Sequence, residues 1–175
     1  MVTLTRAVQS NPAAAVALAI GIGGLAAIAT AYFIQYVLLI APCPLCLDQR
    51  KIWYAIIPVA FVVAMLAQGK APRRLVHAGL IILVLAMTCS FVFALYHAGV
   101  EWKWWAGPAD CTGPIENFGG AGSLLDKMQT TSLVRCDEAA WRFLGISLAG
   151  YNSLMSLAFA VMTFWALVRD RQARG

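Results

Sequence analysis

The sequence predicts an all-α membrane protein, an antiparallel four-helix transmembrane bundle with one long, partly helical outer loop. Three observations predict it. Of 175 residues, 61% are hydrophobic and only 12% charged, with a mean hydropathy of +0.75, whereas soluble domains are about one-quarter charged. The apolar residues gather into four runs, each near the roughly 20 residues that cross a hydrocarbon core. Basic residues sit at the ends of those runs, as they do beside lipid headgroups, so the net charge of +5 does not point to nucleic acid.

The first span is expected over residues 13–39, an uncharged run. Small residues at Ala29 and Ala31 imitate a cleavage site, but the run outlasts the apolar region of a signal peptide and reads as a retained span. The second is expected over 47–67 and contains Pro58, a helix-kinking residue tolerated in membranes when neighbours satisfy the freed carbonyl. A short basic turn with Lys70, Arg73 and Arg74 leads to the third span, 75–97, and the last covers 146–168. Arg6 precedes the first span, and Arg169, Arg171 and Arg174 follow the last. By the positive-inside rule both termini then lie in the cytoplasm, and loops 40–46 and 98–145 face outward. The longer loop opens on Trp102, Trp104 and Trp105, suited to the headgroup region, and Ser123–Met128 reads as a short surface helix. Residues 1–175 form a single domain without internal repeats.

Cys43, Cys46, Cys111 and Cys136 all fall in or beside the outer loops, while Cys89 lies within the third span and reads as a small buried hydrophobe. Outside the membrane an oxidising compartment permits disulfides, and bracing is the ordinary use of such bonds. Cys43 and Cys46 differ, because closing so small a ring gains little as a brace, whereas this spacing is common in redox pairs. Pro44 suits a first helical turn, which puts Cys46 near the positive end of the helix dipole, where a thiolate is stabilised. Arg50, four residues on, shares that helical face and brings a permanent cation. Four cysteines also suggest zinc, but Cys111 and Cys136 stand too far apart for a short knuckle, so no metal is expected. His97, at the outer end of the third span, is placed to donate a hydrogen bond to a carbonyl ligand at the rim. Tyr32, Tyr36 and Trp53 are adequately explained by packing.

This ordered set resembles the bacterial disulfide bond formation protein B family, DsbB. The likeness rests on the four spans, Pro42-Cys43-Pro44-Leu45-Cys46 before the second, Arg50, and the separated pair Cys111 and Cys136. Cys136 is followed by Trp141-Arg142-Phe143-Leu144-Gly145, similar to the family's lead into its last span. The resemblance implies a protein-disulfide:quinone oxidoreductase of the bacterial inner membrane that reoxidises a periplasmic DsbA-like thioredoxin-fold partner. On that likeness the partner attacks Cys111, the released Cys136 attacks Cys43, and Cys46 is freed beside ubiquinone or menaquinone, with Arg50, Cys46 and His97 at the quinone. Pro44 between the rim cysteines, and Gly119, Gly120 and Gly122 in the loop, depart from the family pattern and suit a dedicated partner. Vitamin K epoxide reductase-like enzymes are the alternative, but their loop cysteines precede the pair nearest the quinone, the reverse of the order here. A non-catalytic protein braced by two disulfides is the other.

Overall fold

The computed structural model describes residues 11–69, 71–108 and 135–172. Cys111 and the expected surface helix at Ser123–Met128 lie outside them. Four helices, each long and apolar enough to cross a membrane, make up the bundle: α1 Pro12–Tyr36, α2 Pro44–Gln68, α3 Arg73–Glu101 and α4 Leu148–Gln172. The architecture is the expected all-α membrane bundle.

Local chemistry sets the helix starts. Asn11 caps α1 by accepting the Ala14 N–H, with Pro12 in the first turn. Cys43 caps α2 in the same way: its sulfur accepts the Cys46 N–H at 3.2 Å, again with a proline next in the chain. Pro58 stands inside α2 and deprives the Tyr54 carbonyl of its usual N–H partner. Before α4 comes a feature the sequence reading did not foresee. Arg142–Phe143 (β1) pairs antiparallel with Ile146–Ser147 (β2), across Leu144 and Gly145 at φ 49° and 82°. Two positive φ values in succession are those of a tight primed hairpin turn, to which glycine is suited at the second position. Helix α4 therefore begins only at Leu148.

Side-chain bonds between helix ends establish the directions. Asn11 at the start of α1 donates to the Ala67 carbonyl at the end of α2, and Arg73 and His77 at the start of α3 meet Asp170 near the end of α4. His97 late in α3 meets Gln49 early in α2. Sequential neighbours therefore run antiparallel, α4 closes the ring against α1, and the pairs α1–α2 and α3–α4 pack most extensively.

Lipid tails are as apolar as leucine, so burial from water does not hold such helices together; close packing and interhelical hydrogen bonds do. Leu80, Leu83 and Met87 of α3 are fully buried against Ile20 of α1 and Ala60 of α2 in one core, and Ser90 bonds Ser156 between α3 and α4 at 2.9 Å. Leu85, Val92, Val161 and Phe164 point outward, as a lipid-facing surface requires. Cys89 belongs to this outer face: it is exposed rather than buried, because its position on α3 turns away from the other helices.

At Gly79 the backbone of α3 approaches α2 closely. A Cβ there would lie 2.5 Å from Cγ2 of Val63, itself buried and stiff at χ1. Gly79→Ala is expected to destabilise the bundle by about 1–3 kcal/mol, read as a lower unfolding midpoint in detergent. Adding Val63→Ala should recover part of the loss, whereas additive losses would mean that the two positions do not touch.

Candidate redox site

At the cysteine end of the bundle, Cys43 and Cys46 are both free thiols. Their Sγ atoms lie 2.6 Å apart, with Cys43 donating to Cys46. That hydrogen bond and burial push the Cys43 thiol above its ordinary range, so Cys43 holds its proton while the Cys46 sulfur accepts. The pairing follows from the cap: a residue at N-cap and one at N3 are brought together by the first turn.

Each side of this pair meets something different. Cys43 packs with Leu45, Val100 and Cys136 in a small buried cluster. Cys136 is fully buried and disulfide-bonded, and its partner lies outside the described residues. Asp137 ties the segment carrying it to Lys103, just beyond the end of α3, at 3.5 Å, and pairs with Arg135 of its own segment at 3.0 Å.

On the other side, Cys46 lines a cavity of about 460 Å³ enclosed by α1, α2, the end of α3 and the start of α4. Its walls are mostly apolar, among them Ala27, Ile34, Ile40, Trp141 and Met155, and its size suits a small organic ligand. Arg50 is the permanent cation in the wall. Its guanidinium donates to Gln35 Oε1 at 2.5 Å and to the Ala31 carbonyl at 3.2 Å, and stands over the Tyr32 ring at 5.4 Å. These partners are neutral, and among the described residues no carboxylate pairs with Arg50, so its charge stays available to an electron-rich atom in the cavity.

A directed chain of hydrogen bonds sets the state of His97. The Trp53 indole, which can only donate, bonds Asn152 Oδ1 at 2.8 Å. This turns the Asn152 amide so that Nδ2 donates to Gln49 Oε1 at 2.6 Å. The Gln49 amide nitrogen is then the group that meets His97 Nδ1 at 2.6 Å, and it too can only donate. Nδ1 is therefore an acceptor, and the ring proton of neutral His97 sits on Nε2, which lies 3.6 Å from Cys43 Sγ and 3.8 Å from Glu101 Oε1. The helices α2, α4 and α3 thus cooperate to aim one N–H at the cysteine pair.

Comparison with known proteins shows which family shares this sequence. The family model described as "Disulfide bond formation protein DsbB" matches residues 13–166, most of the chain. The chain belongs to the DsbB family. It is 31% identical over 151 residues to the Disulfide bond formation protein B of Acidovorax sp. (strain JS42), covering 83% of this chain and 82% of that protein. It is 30% identical over 150 residues to that of Hahella chejuensis, covering 79% and 84%, and 26% identical over 154 residues to that of Stutzerimonas stutzeri, covering 85% and 90%. This DsbB-family member is a multi-pass membrane protein with an oxidoreductase role in disulfide bond formation.

Of the residues singled out from sequence, this DsbB-family chain brings Cys43, Cys46, Arg50 and His97 to one place, with Cys136 packed behind Cys43. Cys111 lies outside the described residues. Trp53, read from sequence as packing, does pack on Phe159, but its indole N–H also starts the chain of bonds that orients His97. Gln49, Asn152 and Glu101 were not anticipated. A signal existed for each: Gln49 and Asn152 are amides inside apolar runs, and Glu101 stands four residues after His97, on the same helical face. Ligand atoms of Cys43, Cys46 and His97 also lie within 4.8 Å of one another, close enough for a metal ion. A metal needs the lone pair of an imidazole nitrogen, however, and here the nitrogen facing the sulfurs carries the proton, so the group is built to donate to sulfur.

Proposed function

We propose that the protein is a thiol:quinone oxidoreductase that reoxidises a periplasmic, DsbA-like thioredoxin-fold dithiol oxidase and passes the electrons to ubiquinone or menaquinone in the inner membrane. One observation carries this reading: the Cys43–Cys46 dithiol has buried, disulfide-bonded Cys136 on one side and an apolar, Arg50-lined cavity on the other. The cavity fits a quinone head, being apolar, roomy and supplied with a cation for a carbonyl oxygen. Arg50 would hold that oxygen beside Cys46. A quinone bound there supplies the acceptor for two electrons and two protons.

The chain's own residues carry the equivalents to it. A partner thiolate attacks Cys111 of a Cys111–Cys136 disulfide and releases the Cys136 thiolate. Cys136 attacks Cys43 of the oxidised rim pair, forming a Cys43–Cys136 bond and breaking the Cys43–Cys46 bond, so that Cys46 leaves as a thiolate. Exchange at the partner then gives the partner disulfide, and a second exchange restores Cys111–Cys136 and leaves Cys43 as a thiol. Nucleophilicity follows the thiolate, and the hydrogen bond from Cys43 to Cys46 favours Cys46 as the sulfur that carries the charge. His97 Nε2–H, aimed at Cys43, steadies negative charge that develops on that sulfur during exchange. The partner is itself a strong oxidant, which requires a stronger terminal acceptor, and a lipid-soluble one reaches the rim from the membrane side.

Arg73, Arg74 and Arg169 lie at the bundle end opposite the cysteines, which supports cytoplasmic termini and a periplasmic site. Purified protein given a reduced thioredoxin-fold partner and a quinone should consume one quinone per partner disulfide formed, followed by quinone absorbance. A braced, non-catalytic protein would leave both unchanged.

A further inference from the structure

Resting on the quinone-oxidoreductase reading above, we propose that Glu101 is a catalytic acid that delivers one of the two protons accompanying the electrons into the cavity. Among the described residues it is the one carboxyl that lines the cavity. Its side chain is only 6% exposed. Ser147 of β2 stands beside the carboxyl group, and Oε1 lies 3.8 Å from His97 Nε2. Oε2 is buried and has no hydrogen-bond partner among the described residues. Buried polar atoms of purely structural groups are paired, so an open carboxyl oxygen beside a ligand-sized cavity points to a partner that arrives with the ligand.

The proton balance requires such a group. When the Cys43 thiol and the Cys46 thiolate close to a disulfide, two electrons and one proton, that of Cys43, are released. The acceptor needs a second proton, equal to the one lost when Cys46 became a thiolate. Glu101 Oε2–H can supply it, becoming a carboxylate that is reprotonated from water.

Other groups in the wall are unsuited. His97 holds its proton on Nε2 and accepts on Nδ1, so donation would leave an imidazolate. Tyr151 already donates to the Phe143 carbonyl, and Arg50 does not deprotonate. The ionisable groups acting on Glu101 are His97 on its own helix, Cys43 and Cys46 from the start of α2, and Arg142 from β1. Glu101 is the last residue of α3, next to exposed Trp102, and so has a short path to the aqueous side.

The test uses Glu101→Gln, which keeps size and polarity but cannot supply the acid. Full-length protein is reduced chemically, mixed with quinone and followed through a single turnover. The variant should bind quinone within about twofold of wild type yet reduce it about 10²–10⁴-fold more slowly, the usual contribution of a general acid, with Glu101→Asp intermediate. Independently of turnover, infrared spectra of quinone-free reduced wild type should contain a protonated-carboxyl C=O band that shifts in D₂O and is missing from Glu101→Gln. A wild-type single-turnover rate in Glu101→Gln, or absence of that band from wild type, overturns the assignment, as does loss of quinone binding, which would make Glu101 a binding group instead. Wild-type protein that leaves quinone unreduced overturns the oxidoreductase reading itself, and this assignment with it.

Discussion

Replacing Cys46 by serine is expected to reduce steady-state quinone reduction to background, a loss of more than roughly a thousandfold, without disturbing the bundle. Serine nearly matches cysteine in size, and helix capping at this position does not depend on the Cys46 sulfur: the cap acceptor is Cys43. A hydroxyl neither forms a disulfide nor ionises near neutral pH, so the rim pair can no longer hold two electrons. The loop disulfide at Cys136 would remain. The variant should therefore oxidise one equivalent of reduced partner in a burst and then stop, with no quinone consumed. A full steady-state rate would remove Cys46 from the route. Loss of the burst as well would place the first exchange at the rim and not at the loop.

Arg50→Leu should have the second-largest effect, raising the half-saturating quinone concentration by about 10- to 100-fold, as expected for loss of a charged hydrogen bond of roughly 1.5–3 kcal/mol. Arg50 also joins α2 to α1 through Gln35 and the Ala31 carbonyl, so some stability is lost as well. Gln35→Leu separates the two roles. It removes the neutral partner of the guanidinium and leaves the charge, and should disturb quinone affinity much less than Arg50→Leu does. Arg50→Lys keeps a cation but not the planar fork, and is expected to fall between. Equal effects of Gln35→Leu and Arg50→Leu would make Arg50 a packing residue.

Features confined to one helix or one cap were legible in the sequence. The four apolar runs announced the spans, Cys43 followed by Pro44 announced the start of α2, and the four-residue step from Cys46 to Arg50 placed both in one cavity wall. Features that need two distant segments were not. Nothing in the separation of Cys136 from Cys43 indicates that they share a buried cluster. Gln49, Asn152 and Trp53 bond across about 100 positions of chain, and their joint effect, the fixed tautomer of His97, exists only when three helices meet. Glu101 falls within the expected outer loop 98–145 because it follows the apolar run. Helix α3 in fact continues through it and carries it into the cavity wall. Cys89 erred in the opposite direction, since lying in a span does not decide which side of the helix faces lipid.

Direct electron exchange between the Cys43–Cys46 pair and a quinone in the cavity is the step on which the proposed activity rests. It is tested most directly by anaerobic titration of chemically reduced, purified protein with quinone in the absence of any partner, with each cysteine's state read by differential alkylation and mass spectrometry. Cys43 and Cys46 should become protected together, with one quinone reduced per pair oxidised, and Arg50→Leu should require more quinone to reach the same point. Cys43 and Cys46 remaining fully alkylated in the presence of excess, unreduced quinone would contradict it.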